Sequence, residues 1–296
     1  MNKEQIKRII YFIGKFLGIL GLIFVFYTLS QEYTLSSFKQ QFILFLDILP
    51  LLMLLNIASL LMGIYAWHRI LLHYSNSSFS FITSYYYFSK TEIAKYLPGN
   101  IFHFLGRQAL ASKIDMTQTN MAKSSLLFSL LLLTGTLLAS TFFAFFTQSI
   151  DAYILIILIV FTVMSFIILL YLYPSFPWSK KITLNGYFAS SVAIQGVMLS
   201  WIIMYQCEIF SFEQFLLFAS IYTVSWLIGF ITPGASGGLG IREGSFIAIA
   251  TYLHITISTD IIIFSVLFIR LINICVDVIM YFSTIVIEKK MKELEL

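Results

Sequence analysis

The sequence predicts an all-α integral membrane protein with about six transmembrane helices and two re-entrant helical hairpins, arranged as inverted repeats. Its composition indicates the membrane class, because 59% of the 296 residues are hydrophobic and only 11% are charged. Several apolar stretches also reach the roughly 20 residues that a helix needs to cross a bilayer. Two other apolar stretches are broken by Pro-Gly, and an arginine follows nine positions after each proline. Nothing indicates a separate soluble domain, so residues 1–296 are treated as one polytopic membrane domain.

The candidate transmembrane helices are the uninterrupted apolar stretches. They cover residues 9–29, 42–66, 124–147, 153–173, 184–205 and 261–287. Residues 153–172 are apolar almost throughout, whereas the strands of a transmembrane barrel alternate polar and apolar side chains, so helices are predicted. Lys3, Lys7 and Arg8 precede the first stretch, and no small-residue cleavage site is present. We therefore expect an uncleaved first span rather than a signal peptide.

Two apolar regions, 79–111 and 212–253, are interrupted in their middle and predict helical hairpins. Proline lacks a backbone donor and glycine lacks side-chain restraint, so a helix ends at each Pro-Gly pair. Backbone groups freed at membrane depth must face protein or a watery cavity, which places the turns inside the membrane. The residues assigned to the breaks are Pro98, Gly99, Pro233, Gly234, Gly237, Gly238 and Gly240. Loop charges do not separate a re-entrant hairpin from two full spans, so both remain open at this point.

Basic residues lie at the ends of the spans and predict the orientation of the chain. A cytoplasmic N-terminus places on one side Arg69, Lys113, Lys123, Lys180, Lys181, Lys289, Lys290 and Lys292. The connections on the other side hold Lys39 alone. This asymmetry follows the positive-inside rule, so both termini are expected in the cytoplasm. The net charge of +4 arises at these span ends and does not indicate a nucleic-acid partner.

The order of the predicted elements repeats with opposite orientation. Residues 9–147 contain two spans, a hairpin and a third span, and residues 152–287 contain the same series starting from the other side. The Pro-Gly breaks and their arginines occupy matching places in the two halves. Inverted repeats of this kind are typical of secondary transporters, whose substrate sites lie near the midplane where the repeats meet. Chance recurrence of Pro-Gly pairs is the alternative.

The first hairpin carries a candidate anion site after its break. Asn100 is a good N-cap, so a helix is expected to start after it with unpaired backbone N–H groups that attract anions. Arg107 lies seven residues further on, which is two turns and nearly the same face, and His103 lies between them. Glu92 precedes Lys95 by one turn and is expected to pair with it. The alternative is that Arg107 marks the cytoplasmic end of the hairpin and reaches to lipid headgroups.

The second hairpin combines a glycine-rich turn with a charged pair. Five glycines fall between residues 234 and 244, which lets the backbone bend and approach a ligand or another helix closely. Arg242 and Glu243 then begin the following arm and are candidate substrate-binding residues. Close helix packing, with both charges paired to neighbours, is the alternative, since small residues often line helix contacts in membranes.

The last span carries a polar stripe formed by Arg270, Asn273 and Asp277. Their spacing places them on one face of a helix whose other faces are apolar. A charged residue at mid-helix costs about 2.5–3.5 kcal/mol of insertion free energy, so the stripe is expected to face the protein interior or water. Arg270 and Asp277 are about two turns apart, and each has Glu243 or Arg242 as an alternative partner.

Other functional classes find little support in the sequence. The glycine run lacks the G-K-[ST] ending of a nucleotide loop, and the histidines lack companions at metal spacing, so neither a cofactor nor a metal is expected. Residues 234–238 match G-x-S-x-G, which makes an intramembrane serine hydrolase centred on Ser236 the main rival. The downstream histidine, His254, lies about 27 Å away if the intervening segment is helical, whereas a nucleophilic serine needs a base within hydrogen-bond reach.

The segments KYLPGNIFHFLGR (95–107) and TPGASGGLGIREG (232–244) together resemble the transmembrane-region family of bacterial lysylphosphatidylglycerol synthases. The likeness covers roughly residues 9–287 and implies a lipid flippase with re-entrant helices in the bacterial cytoplasmic (inner) membrane. The matching positions are Pro98, Gly99, Asn100, Arg107, Gly238, Gly240, Arg242 and Glu243. The soluble aminoacyl-transferase domain of the full-length synthases is missing, so we expect a protein that is not an enzyme.

We therefore expect a translocase in which a lipid phosphate meets Arg107, Arg242 and Arg270 in a cleft between the hairpins. Its partner is a membrane lipid with an anionic headgroup, either a phospholipid or a polyprenyl-linked lipid. Glu243 and Asp277 are expected to limit the positive charge and are candidates to carry a coupling proton. Whether the protein forms a homo-oligomer or binds partner proteins of envelope biosynthesis remains open. A third interpretation is a membrane scaffold that transports nothing.

Overall fold

The computed structural model describes residues 42–96, 102–109, 111–207, 211–232, 238, 240–255 and 257–294. This part of the chain is 86% helical and contains no strand, as the sequence predicts. The predicted span at 9–29 lies outside it. Other residues with predicted roles also lie outside the described part of the chain: Pro98, Gly99, Asn100, Pro233, Gly234, Ser236 and Gly237.

The α-helices of the described chain follow one another with short connections. They are α1 (Leu49–Tyr74), α2 (Phe81–Glu92), α3 (Phe102–Ala109), α4 (Gln118–Phe145), α5 (Ala152–Leu172), α6 (Trp178–Cys207), α7 (Phe212–Ile231), α8 (Ile241–Tyr252) and α9 (Thr259–Leu294). Two 3₁₀ segments, Ile93–Tyr96 and Ala111–Ile114, flank α3 in the chain. Polar caps set some of the starts, since the Thr117 hydroxyl accepts a hydrogen bond from the Asn120 N–H at the start of α4.

Six of these helices are long and apolar enough to cross a membrane, namely α1, α4, α5, α6, α7 and α9. The protein is therefore a multi-pass membrane protein. Five of the six overlap predicted spans. The sixth is α7, which the sequence predicts to be the first arm of the second hairpin. Its 20 residues extend over about 30 Å, so this arm alone matches the thickness of the hydrocarbon core.

Three helices, α4, α6 and α7, form the most closely packed part of the fold. A Cβ atom added at Gly135 of α4 would lie 2.7 Å from the Cβ of Phe188 in α6. One added at Gly196 of α6 would lie 3.1 Å from the carbonyl oxygen of Ala219 in α7. The glycines therefore allow the backbones to approach, as is usual for helices packed within a membrane. In contrast, only 11% of the most apolar 18-residue stretch of α5 is buried, so α5 lies at the periphery of the helices and faces lipid.

The first predicted hairpin (79–111) contains two short helices, α2 and α3, and the segments that flank it come together. The helix α2 has 12 residues and α3 has 8, so α2 extends over about 18 Å, less than the roughly 30 Å of the hydrocarbon core. The Ser75 hydroxyl donates a hydrogen bond to the Ile114 carbonyl at 3.0 Å, and the Asn120 side chain donates to the Tyr74 carbonyl at 3.0 Å. The chain thus returns after the hairpin to the place where it left α1.

In the second predicted hairpin (212–253), the long α7 packs against the 12-residue α8. Its two outer ends also lie near each other. The Glu213 carboxylate at the start of α7 accepts a hydrogen bond from the Ser149 N–H at 3.0 Å. The Tyr252 hydroxyl at the end of α8 is hydrogen-bonded to the Tyr153 hydroxyl. Both ends therefore contact the connection between α4 and α5 or the first turn of α5.

Both hairpins pack against α9, whose 36 residues extend over about 54 Å. The outer part of α2 contacts the C-terminal part of α9, where the Tyr85 and Ser283 hydroxyls are 2.7 Å apart. The Tyr86 hydroxyl donates to Glu288 at 2.8 Å. Lys90 donates to the Tyr86 hydroxyl at 2.6 Å and to Glu288 at 3.0 Å.

Candidate functional site

A cavity of about 230 Å³ lies between the two hairpins. Each half of the chain contributes three of the elements around it: α1, the first hairpin and α4 from the first half, and α6, the second hairpin and α9 from the second. Its polar lining residues are Asn56, Ser59, Glu92, Lys95, Arg107, Ser191, Gln195, Arg242, Arg270, Asn273 and Asp277. Its aromatic lining residues are Phe88, Phe104, Phe128, Phe188, Trp226 and Phe230. The cavity thus combines a charged lining with apolar walls.

All three residues of the predicted polar stripe of α9, Arg270, Asn273 and Asp277, line this cavity. Each of the three contacts a different element. Arg270 pairs with Glu243 of α8, and Asp277 pairs with Lys95 at the inner end of the first hairpin. Asn273, between them, accepts a hydrogen bond from the Asn56 side chain of α1. The two hairpins therefore reach the middle of α9 from opposite ends, two helical turns apart.

Arg107 is held in an aromatic cage and is only 1% exposed. Its Nη2 atom donates to Glu92 Oε2 at 2.8 Å. The rings around its Cζ atom, with their centroid distances, are Phe88 (4.6 Å), Phe128 (4.9 Å), Trp67 (5.2 Å) and Phe104 (5.8 Å). Such rings stabilise a desolvated cation through their π-faces. The guanidinium therefore points into the protein and does not reach outward to headgroups.

A chain of charges continues from Arg107 to α9. Glu92 contacts Arg107 through one oxygen and the Lys95 ammonium through the other, at 2.8 and 3.3 Å. The Glu92–Lys95 pair predicted from the sequence is therefore present. Lys95 also lies 2.7 Å from Asp277 Oδ2. Four alternating charges thus connect α3, through the inner end of the first hairpin, to α9.

Arg242 lies at the start of α8 with its guanidinium over an aromatic ring. Its Cζ atom is 5.1 Å from the centroid of Trp226 in α7. The turn before it needs glycine, because Gly238 and Gly240 have φ angles of +70° and +76°. These angles belong to the left-handed region that other residues rarely adopt. Two of the predicted break residues therefore have a direct conformational role in bringing Arg242 to the cavity.

Glu243 is completely buried behind the cavity wall and forms an ion pair with Arg270. Glu243 Oε1 and Arg270 Nη1 lie 2.8 Å apart, although the angles are not those of a hydrogen bond. Tyr222 of α7 is buried as well. Its hydroxyl has no hydrogen-bond partner in the part of the chain that the structure describes.

The charges of this cluster do not cancel. Among the described residues, four cations (Lys95, Arg107, Arg242 and Arg270) face three carboxylates (Glu92, Glu243 and Asp277), which leaves one net positive charge. The charges lie among apolar walls, where Coulomb interactions are stronger than in water. An anion would complement this formal excess of positive charge.

Polar contacts between α1 and α6 were not predicted from the sequence. The hydroxyls of Ser59 and Ser191 lie 3.0 Å apart, and each also donates to the other residue's carbonyl at 2.8 Å. The Gln195 side chain donates to the Ser59 hydroxyl at 3.3 Å. Gln195 and Asn56 stand within otherwise apolar spans, and that isolation was a usable signal for a polar cavity.

Of the two histidines with predicted roles, only His254 has a described side chain. His103 lies in α3, but its side chain is outside the description. His254 follows α8 with a φ angle of +52°, at the outer end of the second hairpin. The hydrolase hypothesis needs Ser236, which is not described, and it stays a prediction. In the described part of the chain, His, Cys, Asp and Glu form no group of three or more that could hold a metal.

Comparisons with family models, with curated proteins and with solved structures find no match for this chain.

Proposed function

We propose that this protein translocates an amphiphile with an anionic headgroup, either a phospholipid or a polyprenyl-linked lipid, across the cytoplasmic membrane of a bacterium. The observation that carries the proposal is the shared cavity, in which cations from both hairpins and from α9 outnumber the carboxylates. A phosphate headgroup complements this charge, and guanidinium groups bind phosphate through paired hydrogen bonds. The acyl chains would stay in the bilayer while the headgroup crosses.

The proposal includes re-entrant hairpins and inverted repeats. Short helices support a first hairpin that turns inside the membrane, as does the contact of Ser75 with Ile114 at its outer ends. The contacts of Glu213 and Tyr252 near the start of α5 support a second hairpin that begins and ends on one side. The matching elements around the cavity support a relation between the halves. Transporters with this layout bind substrate where the repeats meet.

Alternating access in this proposal works through the ion pairs on α9. A headgroup phosphate that binds Arg270 competes with Glu243, and the contact between the second hairpin and α9 then weakens. The Lys95–Asp277 pair plays the equivalent part for the first hairpin. One hairpin can therefore move relative to α9 while the other stays attached. The rocking of one half against the other exposes the cavity to each leaflet in turn.

Membership in the transmembrane-region family of the lysylphosphatidylglycerol synthases belongs to the same proposal. The segments 95–107 and 232–244, which carry the resemblance, bring Arg107 and Arg242 to the cavity. A translocase follows from that resemblance, with a lipid rather than a soluble substrate.

A translocation assay in proteoliposomes tests the function. Fluorescent phospholipids and polyprenyl phosphates are reconstituted with purified protein, with and without a proton gradient, and movement between leaflets is measured. Arg107→Ala, Arg242→Ala and Arg270→Ala are each expected to slow movement about tenfold or more, the effect of losing a charged hydrogen bond. Arg69→Ala is the matched control, because Arg69 is exposed and lies outside the cavity. Unchanged rates in all three cavity variants rule the proposal out.

One observation favours a second candidate, a scaffold for an envelope-biosynthesis complex. Three cations of the cavity contact carboxylates of the protein itself, and such pairs can simply hold helices together. A scaffold would move no lipid under any gradient, even when it is correctly folded. Purified wild-type protein that is inactive toward the whole lipid panel therefore favours this alternative.

A further inference from the structure

Two glycines lie against the side chain of Arg242. Gly229, in the last part of α7, is buried, and a Cβ atom added there would lie 2.5 Å from Arg242 Cγ and 3.1 Å from Nε. A Cβ atom added at Gly238 would lie 2.8 Å from Nε and 3.1 Å from the Cα of Gly229. Distances below 3.0 Å do not occur between real Cβ atoms and their neighbours. The aliphatic part of the Arg242 side chain, the arginine stem, therefore passes through a narrow slot between Gly229 and Gly238. It fits there only because neither residue has a side chain.

The slot determines where the guanidinium lies. Trp226 precedes Gly229 by three residues and shares its helix face, so a stem that passes Gly229 brings the guanidinium over the Trp226 ring. Arg242 belongs to the first turn of α8, and its Cγ atom is only two bonds from the backbone. Bending the far end of the Arg242 side chain would therefore not relieve the clash with a methyl group at position 229. The whole Arg242 side chain would have to leave its present rotamer.

We infer that Gly229 is a positioning residue for anion binding, which keeps the Arg242 guanidinium over Trp226 and within the cavity. Gly238 forms the other wall of the slot, and its φ of +70° makes it a poor site for substitution. The inference deepens the proposed function and rests on it, since Arg242 is taken as a headgroup ligand. Gly229 itself would touch no lipid.

The chain offers two matched controls. An added Cβ meets nothing within 4 Å at Gly186, which lies in α6 and does not line the cavity. The same holds at Gly244, two residues after Arg242 in α8. Gly186→Ala and Gly244→Ala therefore make the same chemical change inside a helix without reaching the arginine. All three substitutions raise helix propensity alike, so that effect cancels in the comparison.

The test uses full-length protein in detergent, with Gly229→Ala, Arg242→Ala and the double variant. Three quantities are measured: the affinity for decyl phosphate, the melting temperature, and the emission of Trp226. Because the chain has four tryptophans, the Trp226 emission is the difference between each protein and its Trp226→Phe form. Gly229→Ala is expected to weaken decyl phosphate binding about tenfold and to shift the Trp226 emission. The two control variants are expected to change neither.

The double variant separates positioning from folding. In the Arg242→Ala background no Cγ atom is present, so Gly229→Ala should cause no further loss of affinity and should recover any melting temperature that it loses alone. This recovery is measurable even where the single variant is too unstable for binding studies. An equal loss of affinity or stability in both backgrounds overturns the inference, as does a Trp226 emission that Gly229→Ala leaves unchanged.

Failure of the proposed function gives a different pattern. If wild-type protein does not bind decyl phosphate, or binds it equally well after Arg242→Ala, the headgroup role of Arg242 is wrong. The emission and melting measurements then still decide whether Gly229 positions the arginine. If Arg242→Ala abolishes binding and Gly229→Ala does not affect it, the function stands and the positioning role is excluded.

Discussion

The buried ion pair between Glu243 and Arg270 leads to a prediction in which two mutations are better tolerated than one. The side chains are 1% and 10% exposed, and their charged atoms lie 2.8 Å apart. With an effective dielectric constant of about 20, Coulomb attraction at this distance is about 6 kcal/mol. Desolvation of both charges offsets much of it. The net value of the intact pair is therefore small, but the cost of removing one partner is large.

We expect Arg270→Met or Glu243→Met alone to lower the free energy of unfolding by about 3–5 kcal/mol, because each leaves a buried charge without its main counterion. The double variant Glu243→Met/Arg270→Met leaves neither charge and should be more stable than either single variant. The measurement is the free energy of unfolding in mixed micelles titrated with SDS. If the two losses of unfolding free energy simply add in the double variant, the double-mutant cycle shows no coupling between the two side chains. That result would refute the prediction.

The same double variant also tests whether Arg270 takes part in transport. It should fold, yet it lacks the Arg270 cation, so lipid translocation is expected to be at least about tenfold slower than in wild type. A stable double variant with wild-type translocation would show that the pair serves packing alone.

Two further predictions concern packing and the attachment of the first hairpin. Gly135→Ala should destabilise the fold by about 1–3 kcal/mol in the same unfolding assay, since the added carbon would lie 2.7 Å from Phe188, whereas Gly186→Ala, with nothing within 4 Å, should not. Asp277→Asn removes the carboxylate that Lys95 contacts at 2.7 Å, so amide hydrogen exchange in residues 81–96 should accelerate about tenfold. Asp260→Asn, at the start of the same helix, is its control, and equal exchange in both variants contradicts this role.

Local patterns were sufficient to find most of the charged residues that line the cavity. Arg270, Asn273 and Asp277 recur at helical spacing within an apolar span, and a charge in such a span must face the protein interior or water. Arg107 and Arg242 were found because each follows a Pro-Gly break at the same spacing. These signals depend on a few neighbouring residues and on the cost of exposing charge to lipid.

The role of the second hairpin was only partly predictable. The apolar stretch before the second break has the length of a full span as α7, whereas its partner α8 ends after 12 residues. Hydropathy measures how apolar a stretch is, but not how deep each end lies or where the chain turns back. The depth of an arm depends on the helices that it packs against.

Sequence alone determined that this chain belongs in a membrane, that it is helical, and which charged residues are costly to leave facing lipid. Only the tertiary structure decided that Arg107 sits in a cage of four rings, that Arg270 pairs with Glu243, and that Gly229 makes room for Arg242. The physical reason is the separation along the chain over which each kind of interaction acts. Burial free energy and helical periodicity act within one segment, whereas ion pairs and close contacts join residues far apart in the chain and depend on which helix faces meet.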